Sequence, residues 1–399
     1  MRPLALPQRK DARLLIEVLA DARRAGSLDL SQWDKTVRLA RNAELLAVLD
    51  DRIRTVDAGA RIPPCVAAHL LGSRTIATHR RQIGLHLVDS IGRLLGGHGF
   101  SPVLLKGAGY IAQGLPMSRG RLFDDIDILV PRPELDAVEK LLMAQGWKTE
   151  KPDPYDQRYY RDWSHELPPM RHPDFAMQLD VHHTIVPVTS RGNPDPARLF
   201  RNAIPSGRSP WLVLSPEDQV LHASAHLFLD SDCTNRLREL IDIDGLVRAH
   251  QTRTNFWGAI VDGAEAHGLG RYFWYAMRFV TSWLNTPVPD DLFARMRPFE
   301  PPYAVRRLIE RATSTSILPF DPDGHPDTAR TLSHRMMTIR AALLRMPLPL
   351  LAYHAMHKAI RQKAVRESKQ PNAPRDHSPP PGRPSPPPGN EPRVALHDT

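Results

Sequence analysis

Cysteine is nearly absent from this chain. Only Cys65 and Cys233 occur in 399 residues, too few and too far apart for a disulfide framework or a four-ligand zinc site, and the expectation is two buried, reduced thiols. Long apolar runs are missing too. No segment approaches the roughly 20 apolar residues of a membrane-spanning helix, and the basic start lacks the apolar stretch and small-residue cleavage site of a secretory signal. Both absences predict a cytoplasmic protein. Three catalytic signatures are lacking as well: there is no Gly-x-Ser-x-Gly elbow, no Gly-x-x-x-x-Gly-Lys loop and no His-Glu-x-x-His. Serine hydrolase, P-loop ATPase and zinc protease chemistry therefore have no sequence support.

What is present is an ordinary soluble balance of 41% apolar and 24% charged residues, in a chain long enough for two or three domains. Lys and Arg number 53 against 44 Asp and Glu, a net charge of +9 that suits phosphates, nucleic acid or an anionic membrane surface. Part of the surplus is Lys358, Arg361, Lys363, Arg366 and Lys369. A solvated tail is the plainer reading of that group, and peripheral membrane or nucleic-acid contact through this basic C-terminal region is the less favoured one. Just before it, residues 345–351 are apolar but carry Pro347 and Pro349. Because proline spoils a regular amphipathic face, core packing of a terminal helix is expected there rather than a membrane-surface role.

Apolar spacing predicts helices through the first hundred residues, with Leu14, Leu15, Val18 and Leu19 on one face and a stop at Gly96-Gly97. The pattern then turns to strands at 103–105, 126–130 and 175–185, with a helix over 134–145. From Pro216 it is helical again through Val247 and on to the region of 271–283, with later helices near 332–345 and 348–364. The resulting division is an N-terminal helical region (1–100), a core (101–190), a helical domain (191–297), a C-terminal helical region (298–366) and a disordered, basic, proline-rich tail (367–399).

The most informative stretch is Asp124-Asp125-Ile126-Asp127-Ile128-Leu129-Val130. Alternate strand residues share a face, so Asp125 and Asp127 project together while Ile126 and Ile128 enter the core. Two carboxylates side by side repel, and a hard divalent ion relieves them; Mg²⁺ suits one or two carboxylates completed by phosphates and water. An acidic turn that merely precedes a strand is the competing reading. In 175–182, Gln178, Asp180 and His182 alternate with Met177, Leu179 and Val181. Asp180 can then face the first pair from a neighbouring strand, a set of three acids suited to two-metal phosphoryl transfer, or else lie in solvent on an edge strand. Upstream, Leu104-Leu105-Lys106-Gly107-Ala108-Gly109 runs from an apolar strand into a small-residue turn and a helix. Such a turn attracts phosphate, and Lys106 adds a point charge. A dinucleotide-binding fingerprint also fits residues 107–112, but there the acid follows its strand, whereas Asp125 and Asp127 precede Ile128-Leu129-Val130.

Taken in order, Leu105-Lys106-Gly107-Ala108, Arg121, Asp125-Ile126-Asp127, His165-Glu166-Leu167-Pro168-Pro169, Asp180-Val181-His182-His183, Ser215-Pro216-Glu217-Asp218, His222, His226, Leu237-Arg238-Glu239-Leu240 and Asp242 resemble the bacterial "uncharacterised nucleotidyltransferase" family of the DNA-polymerase-beta-like superfamily. The likeness runs over roughly residues 14–358. It implies an α+β fold, a small mixed β-sheet flanked by helices, with N- and C-terminal helical regions. It further implies transfer of a nucleoside monophosphate from an NTP with Mg²⁺ or Mn²⁺ as cofactor, release of pyrophosphate, and an acceptor hydroxyl on a protein, sugar, small molecule or RNA end. Asp125 and Asp127 become metal ligands with Asp180 as third acid; Lys106, Gly107, Arg121, His226, Arg238 and Asp242 become nucleotide contacts. Superfamily sites open with Gly-Ser, where this chain has Lys106-Gly107, so a catalytically degenerate nucleotide- or partner-binding module is the alternative. His222 and His226 stand four apart on one helix face without the zinc-site glutamate. They read as hydrogen-bonded histidines at a domain contact, with His226, Arg238 and Asp242 as a polar cluster facing the nucleotide in the functional alternative and His165 and His182 as further candidates for the same cleft.

Overall fold

The computed structural model describes residues 4–56, 62–320, 324 and 328–369. Helices α1 (Lys10–Ala20), α2 (Leu30–Asn42), α3 (Leu46–Thr55) and α4 (Pro64–Gly97) precede any strand. Asp29 opens α2 with a reciprocal cap, accepting from the Gln32 amide while the Gln32 side chain accepts from its own. Pro64 starts α4, where a missing N–H costs nothing. The 34-residue α4 carries glycines where bulky groups press into it. A Cβ on Gly92 would lie 2.5 Å from Trp211 Nε1, which donates to the Val88 carbonyl at 3.0 Å.

Seven short strands among the described residues then form one mixed sheet. In chain order these are β1 (Val103–Leu104), α5 (Lys106–Ala112), β2 (Asp125–Leu129), α6 (Leu135–Ala144), β3 (Lys148–Thr149), α7 (Pro154–Arg158), β4 (Met170–Arg171), β5 (Gln178–His182), α8 (Pro196–Asn202), β6 (Ile204–Pro205) and β7 (Leu212–Val213). The sheet order is β3-β4-β5-β2-β1-β7-β6. β5 lies parallel to β2, which is antiparallel to β1. The third strand is shorter than its alternating pattern predicts: it spans Gln178–His182, not 175–185. Its partner β2 stops at Leu129 before Pro131, and the amide of His183 turns away to bond the His165 carbonyl.

Helices α9 (Pro216–Ala225), α10 (Leu237–His250), α11 (Phe256–Ala266), α12 (Gly270–Leu284), α13 (Leu292–Arg295), α14 (Tyr303–Ser316), α15 (Thr328–Arg345) and α16 (Leu348–Lys369) complete the described chain, giving the α+β class. The strand period divides the core in two. Ile126, Ile128, Leu179 and Val181 pack with Leu87 and Ile91 of α4 and Val138 and Leu142 of α6. Leu129, on the opposite face of β2, joins the larger helical core with Val220 of α9, Leu240 of α10 and Phe273 of α12. The acidic residues of β2 and β5 thus share the face turned to the helical core.

The described chain falls into two units, the first ending at Leu351 and the second starting at Ala352. The proline-rich tail lies outside the described residues beyond Lys369. One expectation fails and one holds only in part. Cys65 is exposed in the first turn of α4, and only Cys233 is buried; Val66 beside it takes the inward side of that turn. Core packing of residues 345–351 holds only in part: Met346 is buried and Leu350 and Leu351 are half-buried, whereas Leu348 is 68% exposed. Among the described residues no helix is long and apolar enough to cross a membrane.

Gly92→Ala is expected to destabilise the fold by about 1–3 kcal/mol through overpacking against Trp211. Gly72→Ala, on the same helix with nothing within 4 Å, is expected to stabilise it by about 0.5–1 kcal/mol; urea unfolding of both variants measures the contrast. A thiol reagent should modify Cys65 quickly and leave Cys233 unmodified until the chain unfolds, because burial pushes its thiol up to about 12. Equal reaction of both thiols in the native protein would contradict this.

Candidate metal and nucleotide site

β2 and β5 meet in a register that pairs Asp125 with Gln178 and Asp127 with Asp180. Asp127 and Asp180 are 4% and 8% exposed, and Asp125 stands at the open end of β2. One carboxylate oxygen from each of the three lies within 4.8 Å of the others. The paired acids on one strand and the third from its neighbour therefore converge as the alternation predicts.

Their electrostatics differ. Burial alone would raise Asp127, but Lys106 Nζ at 3.3 Å and His182 Nε2 at 2.9 Å from its Oδ1 hold it well below the usual carboxylate range. Asp125 is raised, first by the charge on Asp127 and then by partial desolvation. Asp180 is pushed up to about 7 by burial and by Asp127. Like charges crowd here more than the local cations relieve, a donor set of three hard oxygens that fits a divalent cation.

Lys106 sits in this site differently from the sequence reading. It adopts φ +40 at the β1–α5 turn, a backbone conformation uncommon for a residue with a side chain, and its ammonium reaches Asp127 rather than standing free for a triphosphate. Gly107 is buried and is not among the residues lining the acidic cleft; a Cβ there would lie 2.2 Å from Arg121 Nη1. Its role is to make room for that guanidinium. Arg121 in turn donates to Asp242 Oδ2 at 2.9 Å, both groups being buried.

A cleft of about 250 Å³ joins these residues to the helical layer. Lys106, Arg121, His226, Arg238 and Asp242 all line it, as do the three acids. His226 gives Nδ1 to Glu239 at 3.0 Å, and Arg238 donates to the Leu122 carbonyl at 3.0 Å and pairs with Glu44. His222 is buried behind the cleft and held well below the usual histidine range by burial. His165 reaches the lining, whereas His182 lies beneath it as the support of Asp127.

Glu166, Asp230 and Arg236 also line the cleft and went unassigned in the sequence. Glu166 lies 3.4 Å from His182 Nε2, and burial with the nearby Asp180 raises it well above an ordinary glutamate. Its signal was the bridge it makes to the acidic strand, Glu166 opposite His182, invisible without the fold. His165 follows one π-helical turn, 159–163, and Asp230 ends another, 226–230, closed by Ser164 N to Tyr159 O at 3.1 Å and Ser231 N to His226 O at 3.0 Å. Such turns insert one residue into a helix and gather at functional sites.

A family model described as an uncharacterised nucleotidyltransferase matches residues 29–285, from the cap of α2 to the end of α12. The chain belongs to that uncharacterised nucleotidyltransferase family. The match is narrower than the motif likeness over 14–358, and it contains every residue of the acidic site and the cleft. No curated protein and no solved structure matches the chain. Family membership gives this nucleotidyltransferase a nucleotide as substrate class, nucleotidyl transfer as reaction class and a divalent metal as the usual cofactor, which the acidic triad can hold.

Asp242→Asn removes the counter-charge of a buried guanidinium and is expected to cost about 3 kcal/mol of stability. Urea unfolding at neutral pH measures it. A loss below about 1 kcal/mol would show that Arg121 is held mainly by its other neighbours.

Proposed function

We propose that this nucleotidyltransferase transfers a nucleoside monophosphate from an NTP to an acceptor hydroxyl with release of pyrophosphate. The observation that carries the reading is the convergence of Asp125, Asp127 and Asp180 on one point beside Lys106. Mg²⁺, or Mn²⁺ in its place, is the proposed cofactor, held by these three acids; when bound it would supply charge neutralisation at the phosphates. Asp127 is the fixed ligand, immobilised by Lys106 and His182. Arg121 and Arg238 line the same cleft where the triphosphate would lie, with Lys106 committed to Asp127. The acceptor oxygen attacks the α-phosphorus, the bond to the pyrophosphate oxygen breaks, and the hydroxyl proton passes to Asp180, which faces the pair from its neighbouring strand.

Asp125→Asn and Asp127→Asn are each expected to abolish Mg²⁺-dependent NTP binding, read by titration calorimetry, with the far-ultraviolet dichroism unchanged. Asp180→Ala is expected to lower the rate of pyrophosphate release by about 10²-fold or more while changing nucleotide affinity less. Wild-type affinity and rate in both Asn variants would remove the metal assignment. Tight binding with no pyrophosphate released across a panel of protein, sugar, small-molecule and RNA acceptors would instead mark a catalytically degenerate binding module.

A further inference from the structure

Helices α12, α14 and α15 line a second cavity of about 580 Å³, within the roughly 300–1,000 Å³ typical of small-molecule sites. Its walls include Phe299, Ile309 and Leu343, so the lining is largely apolar, but guanidinium groups of Arg191, Arg271 and Arg340 face it against a single carboxylate, Glu265. Phe299, Ile309, Arg340 and Leu343 lie beyond residue 285, outside the family match. Membership in the family therefore assigns nothing to this cavity.

Arg340 lies 6.0 Å over the Tyr275 ring and gives one N–H to the Phe228 carbonyl at 2.7 Å. Arg191 and Arg271 are exposed and have no ion-pair partner among the described residues. Three guanidinium groups against one carboxylate beside apolar walls suit a ligand that is apolar at one end and anionic at the other.

We propose that this cavity binds an amphipathic anion, its apolar chain or ring against Phe299, Ile309 and Leu343 and its carboxylate or phosphate head on Arg191, Arg271 and Arg340. The site is separate from the acidic cleft, so its occupancy is read by binding and needs no nucleotidyl transfer.

Titration calorimetry on the full chain with decanoate, decyl phosphate, decanol and inorganic phosphate tests it. Saturable binding is expected for decanoate, decyl phosphate or both, at least about tenfold tighter than for decanol or inorganic phosphate; which anion binds better identifies the head group. Arg271→Glu, at an exposed position, is expected to weaken that binding about tenfold with the thermal midpoint unchanged. Arg191→Glu serves as a second exposed variant with the same expectation. Absence of binding by both anions, equal binding of decanol, or wild-type affinity in Arg271→Glu and Arg191→Glu would overturn the proposal.

Discussion

Parallel pairing of β2 with β5 is the constraint on which the site rests. Five consecutive residue pairs place Asp127 directly across from Asp180, and the same ladder sends Ile126, Ile128, Leu179 and Val181 into the opposite core. Side chains alternate with a period of two, so a slip of one residue would bury the acids among α4 and α6 and expose the isoleucines. The apolar core therefore enforces the positions of the charged groups. Burial of four branched side chains fixes a geometry that three mutually repelling carboxylates would not choose by themselves.

Neutralising that repulsion falls to groups from three directions. Lys106 arrives from the β1–α5 turn, His182 from β5 itself, and Arg121 with Asp242 ties the loop before β2 to α10. Lys106 accepts a positive φ to do so, a local strain of order 1–3 kcal/mol that persists only where the surroundings over-determine it. Asp127 is the best compensated of the three acids and stays ionised, while Asp125 and Asp180 are both raised. The asymmetry means that the residual electrostatic stress is concentrated on the two acids flanking the fixed one.

The acids were legible because their spacing is local: an Asp-x-Asp before an apolar run and an aspartate alternating with apolar residues need only the strand period to be placed on a face. Helices ending at Gly97 and starting at Pro216 were legible for the same reason, through a glycine stop and a capped proline start. Of the two-residue strands, β1 showed itself through the apolar run Val103-Leu104-Leu105, whereas β3, β4, β6 and β7 did not, since a pattern of period two has no length in which to appear. The small-residue turn at Gly107 suits a phosphate contact by composition; only the approach of Arg121, distant in sequence, reveals what the missing Cβ accommodates. Glu166 and Asp230 escaped because their directions depend on a strand bridge and a helix irregularity that residue composition does not announce. Exposure of Cys65 and of Leu348 likewise depends on what neighbouring segments leave uncovered.

One wall of the cleft stands a single residue away from regular geometry. An α-helix advances about 100° per residue, so excising a single residue from 226–230 would restore i to i+4 bonding and re-aim Asp230, the last residue of that turn, while the hydrophobic contacts of α9 upstream stayed as they are. His165 and Glu166 follow the other turn but are tied to the sheet as well, through the His183 amide and the bridge to His182. The carboxylate of Asp230 thus owes its direction to one extra residue, and the histidine and glutamate owe theirs to the strand beside them.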